Sequence, residues 1–237
     1  KAQQITAKQI NSSIESYEYQ SFLLQGVTGS GKTEVYINAI EKCISQGRRA
    51  IVLVPEIALT HQIINRLAGR FPNKVAVLHS GLTPGERYDQ WWKINRGEYP
   101  IVVGSRSAIF SPQMELGLIV IDEEHEWTYK QIDSEPRYHT RDVAIKLAKL
   151  TSATLVMGSA SPDVDTRYRT DSGIHKLLLL PDRILESTDG LTESKNLAEV
   201  EIVDIKEELK QGHDHFLSRK LLKYLEECLG SGSKALL

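Results

Sequence analysis

Six short apolar runs mark the first two thirds of the chain: Phe22–Leu24, Ile51–Val54, Val75–Leu78, Ile101–Val103, Leu118–Ile121 and Thr154–Met157. Each is continuous rather than alternating, and most are β-branched, the pattern of strands buried on both faces. Helical periodicity fills the intervals near 32–46, 57–70, 84–97 and 141–150. Gly47 stands where a helix C-terminus is capped, and Pro84 at a first-turn position that tolerates its missing N–H. This alternation with short loops predicts an α/β fold, a mostly parallel central sheet flanked by helices.

The pattern changes after residue 170. Asp171–Gly173 ends a helix, Ile174–Leu180 reads as a short strand, and 186–198 is polar and turn-rich, a loop or linker. Val200–Asp204 alternates like a strand. Leu217–Leu229 is amphipathic with Ser218 at its N-cap, Gly230–Ser233 breaks it, and Ala235–Leu237 looks like a strand beginning. The expected organisation is a domain over 1–170, a connection over 171–199, and the truncated beginning of a second domain over 200–237.

Composition narrows the class. At 237 residues, 41% hydrophobic and 25% charged, the chain reads as globular, not collagen-like, disordered or disulfide-built. No run of about 18 apolar residues predicts a membrane span. Lys1–Gln20 is polar and lacks the apolar core of a secretory signal, and the first residue is not Met, so a fragment or processed chain is expected. Two cysteines, Cys43 and Cys228, make neither a zinc site nor a disulfide framework, and a reducing cytoplasm is the expected compartment. The net charge of −2 argues against a strongly basic nucleic-acid binder. It is unevenly spread, however: 20 basic and 18 acidic residues over 1–170, 9 and 13 thereafter.

Two segments carry chemistry. Gly26-Val27-Thr28-Gly29-Ser30-Gly31-Lys32-Thr33 joins an apolar run to a helical segment, the context in which such glycine spacing cradles phosphate. Backbone N–H groups there curl around the anion and the helix N-terminus adds its dipole. Lys32 supplies a charge for the β and γ phosphates, and Thr33 a hydroxyl for Mg²⁺. Leu118–Ile121 ends in Asp122-Glu123-Glu124-His125, a carboxylate cluster that is repulsive unless a cation compensates it. Asp122 is read as holding Mg²⁺ through water and Glu123 as orienting or deprotonating the attacking water; a solvated acidic loop is the competing reading of this cluster alone. Together the two segments predict hydrolysis of a nucleoside triphosphate.

The Asp-Glu-Glu-His form resembles the acidic box of superfamily 2 helicases and translocases, and so predicts a RecA-like lobe. Val54-Pro55-Glu56-Ile57-Ala58-Leu59-Thr60, Gly104-Ser105-Arg106-Ser107-Ala108 and Gly158-Ser159-Ala160-Ser161-Pro162 are similar, in order, to motifs Ia, Ib and III of that superfamily. All follow strands, where open α/β sheets place their crevices. Arg106, Ser107 and neighbouring amides suit a nucleic-acid backbone. More narrowly, Gly26–Tyr36, Val54–Thr60, and Asp122–His125 followed by Tyr129-Lys130-Gln131 and Pro136–Ala144 resemble the primosomal protein N′ family of bacterial replication-restart helicases, clearly over about residues 5–165.

That resemblance implies an ATP- and Mg²⁺-dependent 3′→5′ DNA helicase acting at stalled forks. The implied partners are forked and single-stranded DNA, replication-restart (primosome) proteins and single-strand binding protein, in the cytoplasm with no membrane. Trp127, Tyr129, Tyr138 and His139, beside Lys130 and Arg137, suit stacking and charge contact with a single strand; packing of the loop onto the domain is the alternative. In the family this aromatic-rich loop couples DNA contact to hydrolysis, with Ser159 and Ser161 as further members. Ile5-Thr6-Ala7-Lys8-Gln9 resembles the family's adenine-binding element, Gln9 reading the base edge, though it reads equally as a helix cap. Trp91 and Trp92, in a helical segment, are expected to be core and partial surface rather than a cofactor box, and Cys43 inert.

The family also implies a second lobe with an arginine finger, a zinc-binding cysteine cluster beyond residue 237 and upstream DNA-binding domains. This chain alone is therefore expected to be nearly inactive. Competing functions are an ATP-switched scaffold for primosome proteins, a double-strand translocase and, weakest, a small-molecule kinase.

Overall fold

The computed structural model describes residues 2–55, 62–133, 135–186, 192–195 and 200–237. Seven strands, β1 (Gln20–Gly26), β2 (Arg49–Leu53), β3 (Val75–Leu78), β4 (Ile101–Gly104), β5 (Leu116–Ile121), β6 (Thr154–Ser159) and β7 (Lys176–Leu180), form one sheet in the order β3-β4-β2-β5-β6-β1-β7. Every neighbouring pair is parallel. The continuous apolar runs are explained by helices on both faces. Val52, Val120, Val156 and Leu24 pack under α1 (Ala2–Ser16) and α2 (Lys32–Ser45). Their neighbours Ile51, Leu53, Ile119, Ile121, Leu155 and Met157 pack on the other face, against α5 (Thr140–Thr151) and a short 3₁₀ turn at Arg106–Phe110. Alternate side chains of one strand thus fill two cores. The flanking helices α3 (Gln62–Arg70), α4 (Pro84–Asn95) and α6 (Val164–Asp171) complete the layers.

Helix ends follow local chemistry. Thr83 caps α4 by accepting from Glu86 N while Glu86 accepts from Thr83 N, with Pro84 in the first turn. Gly47 takes φ 73° just beyond α2. α1 has no apolar stripe broad enough to be read from sequence; only Thr6, Ile10 and Ile14, four apart, are buried.

Three expectations need correction. The first domain does not end at 170, because β7 pairs with β1 and forms the sheet edge, placing Leu180 beside Gly26. The polar stretch 186–198 is not loop throughout: β8 (Arg183–Glu186) pairs antiparallel with β9 (Thr192–Lys195). Val200–Asp204 and Ala235–Leu237 are not strands. An alternating pattern becomes a strand only with a neighbour to receive its backbone hydrogen bonds, and neither segment pairs among the described residues. Asp204 instead caps α7 (Ile205–Lys210) through Lys206 N. The chain divides into compact units Lys1–Asn196 and Leu197–Leu237. The second holds α7 and α8 (Arg219–Gly230), the latter capped by Ser218 as expected. No helix among the described residues is long and apolar enough to cross a membrane.

Candidate nucleotide-binding site

β1 delivers the glycine loop and α2 leaves it. Gly29 and Gly31 adopt φ 79° and 87°, a left-handed backbone that only glycine enters without strain. Gly31 is the N-cap of α2 and offers no side chain, so no protein side chain caps the first amides of this helix. A Cβ on Gly26 would lie 2.5 Å from Ser30 Oγ and 2.9 Å from Leu180 Cβ, so close packing with β7 requires glycine there. Lys32 reaches across the loop: its Nζ donates to Gly26 O at 2.8 Å and stands 3.6 Å from Glu123 Oε1. Thr28 is exposed, Thr33 half-buried in the first turn, and the buried Ser30 hydroxyl has no hydrogen-bond partner among the described residues.

The acidic box is divided by its geometry. Asp122 follows β5; burial, and then the charge of Glu123, raises its pKa, while a hydrogen bond from Tyr36 opposes the shift. Glu123 sits at φ 46°, left-handed for a non-glycine residue, a strain of about 1–3 kcal/mol that surrounding contacts must hold. That turn sends Glu123 toward Lys32 and Glu124 the opposite way. Glu124 is 1% exposed and pairs with Arg141 at 3.0 Å. It also accepts from Thr166 Oγ1 and Asp163 N, both at 2.8 Å. The expectation that one cation compensates the whole cluster is therefore corrected: Arg141 neutralises Glu124, and Asp122 and Glu123 face the phosphate loop. Among the described residues no three His, Cys, Asp or Glu side chains are grouped to hold a metal. Asp122 and the Thr33 hydroxyl are oxygen donors of the kind that Mg²⁺ takes alongside waters and phosphate oxygens.

Beyond the box, the loop to α5 is anchored from within. Tyr129 is 1% exposed and its hydroxyl donates to Asp122 O at 2.7 Å, so it is not an open stacking face. Arg106 Nη1 donates to Thr128 O and Lys130 O, both at 2.9 Å, holding the loop where a free phosphate contact was expected. His139 caps α5, its Nδ1 accepting from Arg141 N at 3.2 Å; burial, then the Arg141 charge, lowers its pKa, which favours the neutral ring this role uses. Tyr138 is half-buried, edge-on to Phe110 with ring centroids 5.2 Å apart. What remains in solvent is Trp127, at 71% exposure, with Lys130, Arg137 and Ser107. Ser159 is buried: its Oγ lies 2.7 Å from His125 Nδ1 and accepts from Ser161 N at 3.0 Å.

Several placements were not foreseen. Gln9 is exposed, whereas Gln3 from the same helix donates to Ser30 O of the glycine loop at 3.0 Å. The Gln3-Gln4 doublet carries no sequence signal that selects it over Gln9. Tyr36 and Arg141, both buried, hold Asp122 and Glu124; they read in sequence as ordinary helix positions. Trp91 and Trp92 are 41% and 38% exposed, on the surface side of the expected core-and-surface placement. Burial pushes the Cys43 thiol up to about 12, which leaves it unreactive. Glu56–Thr60 of the second motif lie outside the described residues.

A seven-stranded parallel sheet with a glycine phosphate loop after β1 and an acidic box after β5, the two strands separated by β6, defines a P-loop helicase lobe. The DEAD/DEAH box helicase model matches residues 1–170, and the chain belongs to that family. It is similar to the replication restart protein PriA of Bacillus subtilis (strain 168), 48% identical over 228 residues, 96% of this chain and 27% of that relative. The PriA of Synechocystis sp. (strain ATCC 27184 / PCC 6803 / Kazusa) is 45% identical over 214 residues, 88% of this chain and 25% of the relative. The primosomal resemblance read from sequence is thus borne out, and the chain spans about a quarter of these relatives. Among solved structures, RecG bound to a three-way DNA junction matches with a TM-score of 0.54 and 24% identity, over 76% of this chain and 23% of that one, a likeness of fold.

Proposed function

We propose that this chain is the ATP-binding lobe of an ATP-dependent 3′→5′ DNA helicase that acts at stalled forks in bacterial replication restart, in the cytoplasm. One observation carries the reading. The fold brings Lys32 to within 3.6 Å of Glu123, joining the phosphate loop to the acidic box. The glycine-loop amides and Lys32 bind and orient the triphosphate, and Glu123 takes or orients the proton of the attacking water. Thr33 and Asp122 would hold Mg²⁺, which would supply charge neutralisation at the phosphates. Trp127, Lys130 and Arg137 form the strand-contacting edge. Tyr129, gripped by Arg106 on either side and bonded to Asp122 O, carries the position of that edge to the hydrolytic site. Ser159 and Ser161 act through His125. Residues 200–237 begin the second lobe, and the zinc cluster, the primosome-protein contacts and the single-strand binding protein contact belong to the remainder of the protein.

The position of Gln3 favours it over Gln9 as the adenine reader. Gln3→Ala is expected to weaken ATP binding about fivefold to tenfold, the scale of one hydrogen bond, with Gln9→Ala unchanged. Titration with a fluorescent adenine nucleotide reads both, and the reverse ranking returns the role to Gln9.

Without the arginine finger of a second lobe, worth about 10³–10⁵ in rate, the chain by itself is expected to bind ATP and turn it over very slowly, with no unwinding. A steady-state ATPase assay with and without single-stranded DNA tests this; robust DNA-stimulated turnover would refute it. In the full-length protein, Lys32→Ala separates motor from scaffold, because a scaffold retains primosome assembly on a substrate that needs unwinding.

A further inference from the structure

The geometry points to Tyr36 as a positioning residue that sets the Mg²⁺-binding carboxylate of Asp122, with Gly158 as the glycine that makes room for it. The inference rests on the nucleotide-site reading above and deepens it. Tyr36 lies one helical turn beyond Lys32 and Thr33 on α2, so one rigid element carries the phosphate-binding amine, the cation-binding hydroxyl and this phenol. Its hydroxyl donates to Asp122 Oδ1 at 2.9 Å. The ring is 1% exposed. A buried hydrogen bond to a carboxylate fixes the rotamer of that carboxylate.

Gly158 supplies the second, independent observation. A Cβ there would stand 1.7 Å from the Tyr36 hydroxyl and 2.9 Å from Cζ, distances no side chain tolerates. Its φ does not lie in the left-handed region, so backbone conformation is not the reason for glycine at this position. The carbonyl of the same residue accepts from Glu124 N at 2.9 Å. Gly158 therefore holds the acidic turn by its backbone and leaves space for Tyr36 by its missing side chain. Asp122 is fixed at both ends, its carboxylate by Tyr36 and its carbonyl by Tyr129.

The readout is Mg²⁺ dependence, because loss of packing alone would weaken nucleotide binding with or without the cation. ADP affinity of the chain is measured by calorimetry in Mg²⁺ and in EDTA for the unsubstituted chain, Tyr36→Phe, Asp122→Asn and the double variant. Tyr36→Phe is expected to keep the EDTA affinity within about twofold and to reduce the gain from Mg²⁺ about tenfold, as for one hydrogen bond to a charged group. On the Asp122→Asn background it is expected to add nothing. Gly158→Ala, which displaces the phenol without altering it, is expected to give the same cation-specific loss and stands in if Tyr36→Phe does not fold. An unchanged Mg²⁺ gain in either folded variant, or additive losses in the double variant, overturns the inference alone. Absence of nucleotide binding by the unsubstituted chain overturns the site reading, and the inference with it.

Discussion

Glu123→Gln is expected to lower ATP hydrolysis by the full-length protein about 10²–10⁴-fold, the usual contribution of a positioned general base. Nucleotide affinity should change little, because Gln keeps the shape and Lys32 retains its bond to Gly26 O at 2.8 Å. The strained φ of 46° gives the effect its sharpness: the turn aims this one carboxylate at the phosphate loop while its neighbour Glu124 points into the core. Single-turnover hydrolysis with a parallel binding titration separates the two quantities. A variant that keeps hydrolysis within threefold would remove Glu123 from the chemistry.

The second large effect concerns folding. Arg141→Ala leaves Glu124 as an unpaired carboxylate that is 1% exposed, and removes the guanidinium that also meets Asp163 at 3.2 Å and Asp165 at 3.5 Å. Breaking one side of a buried pair costs about 3–5 kcal/mol, a large share of the whole stability of an ordinary domain. Urea unfolding should therefore show a free energy of unfolding lowered by that amount, read as a lower midpoint at unchanged slope. Replacing both partners, Glu124→Gln with Arg141→Met, is expected to recover most of the loss, because the penalty belongs to the orphaned charge. A single variant with an unshifted midpoint would show that water reaches Glu124. This pair joins the end of β5 to α5 and α6, so its loss should also loosen the turn that carries Glu123.

Much of this was legible in the residues. Uninterrupted apolar runs require burial on both faces, and that alone implies a parallel sheet between helices. Gly29, Gly31 and Lys32 stand within a few positions of one another, so the phosphate loop is a local statement. The weaker readings failed where a pattern needed a partner elsewhere. Val200–Asp204 alternates as a strand does, yet no strand pairs with it among the described residues. Tyr129 and Arg106 read as groups for a nucleic acid because aromatic and basic types serve that purpose, but sequence does not show which way a side chain turns.

The sequence by itself determined the fold class, through apolar runs that recur along the chain, and the phosphate loop and acidic box, each encoded within a few consecutive residues; the family came from the resemblance those motifs carry. Only the tertiary structure decided how the acids divide and what holds them. Tyr36 and Asp122 are 86 positions apart, and Glu124 and Arg141 are 17 apart on different elements. Both contacts exist because a buried carboxylate must find a donor, and which donor it finds depends on how the sheet and helices bring distant segments together.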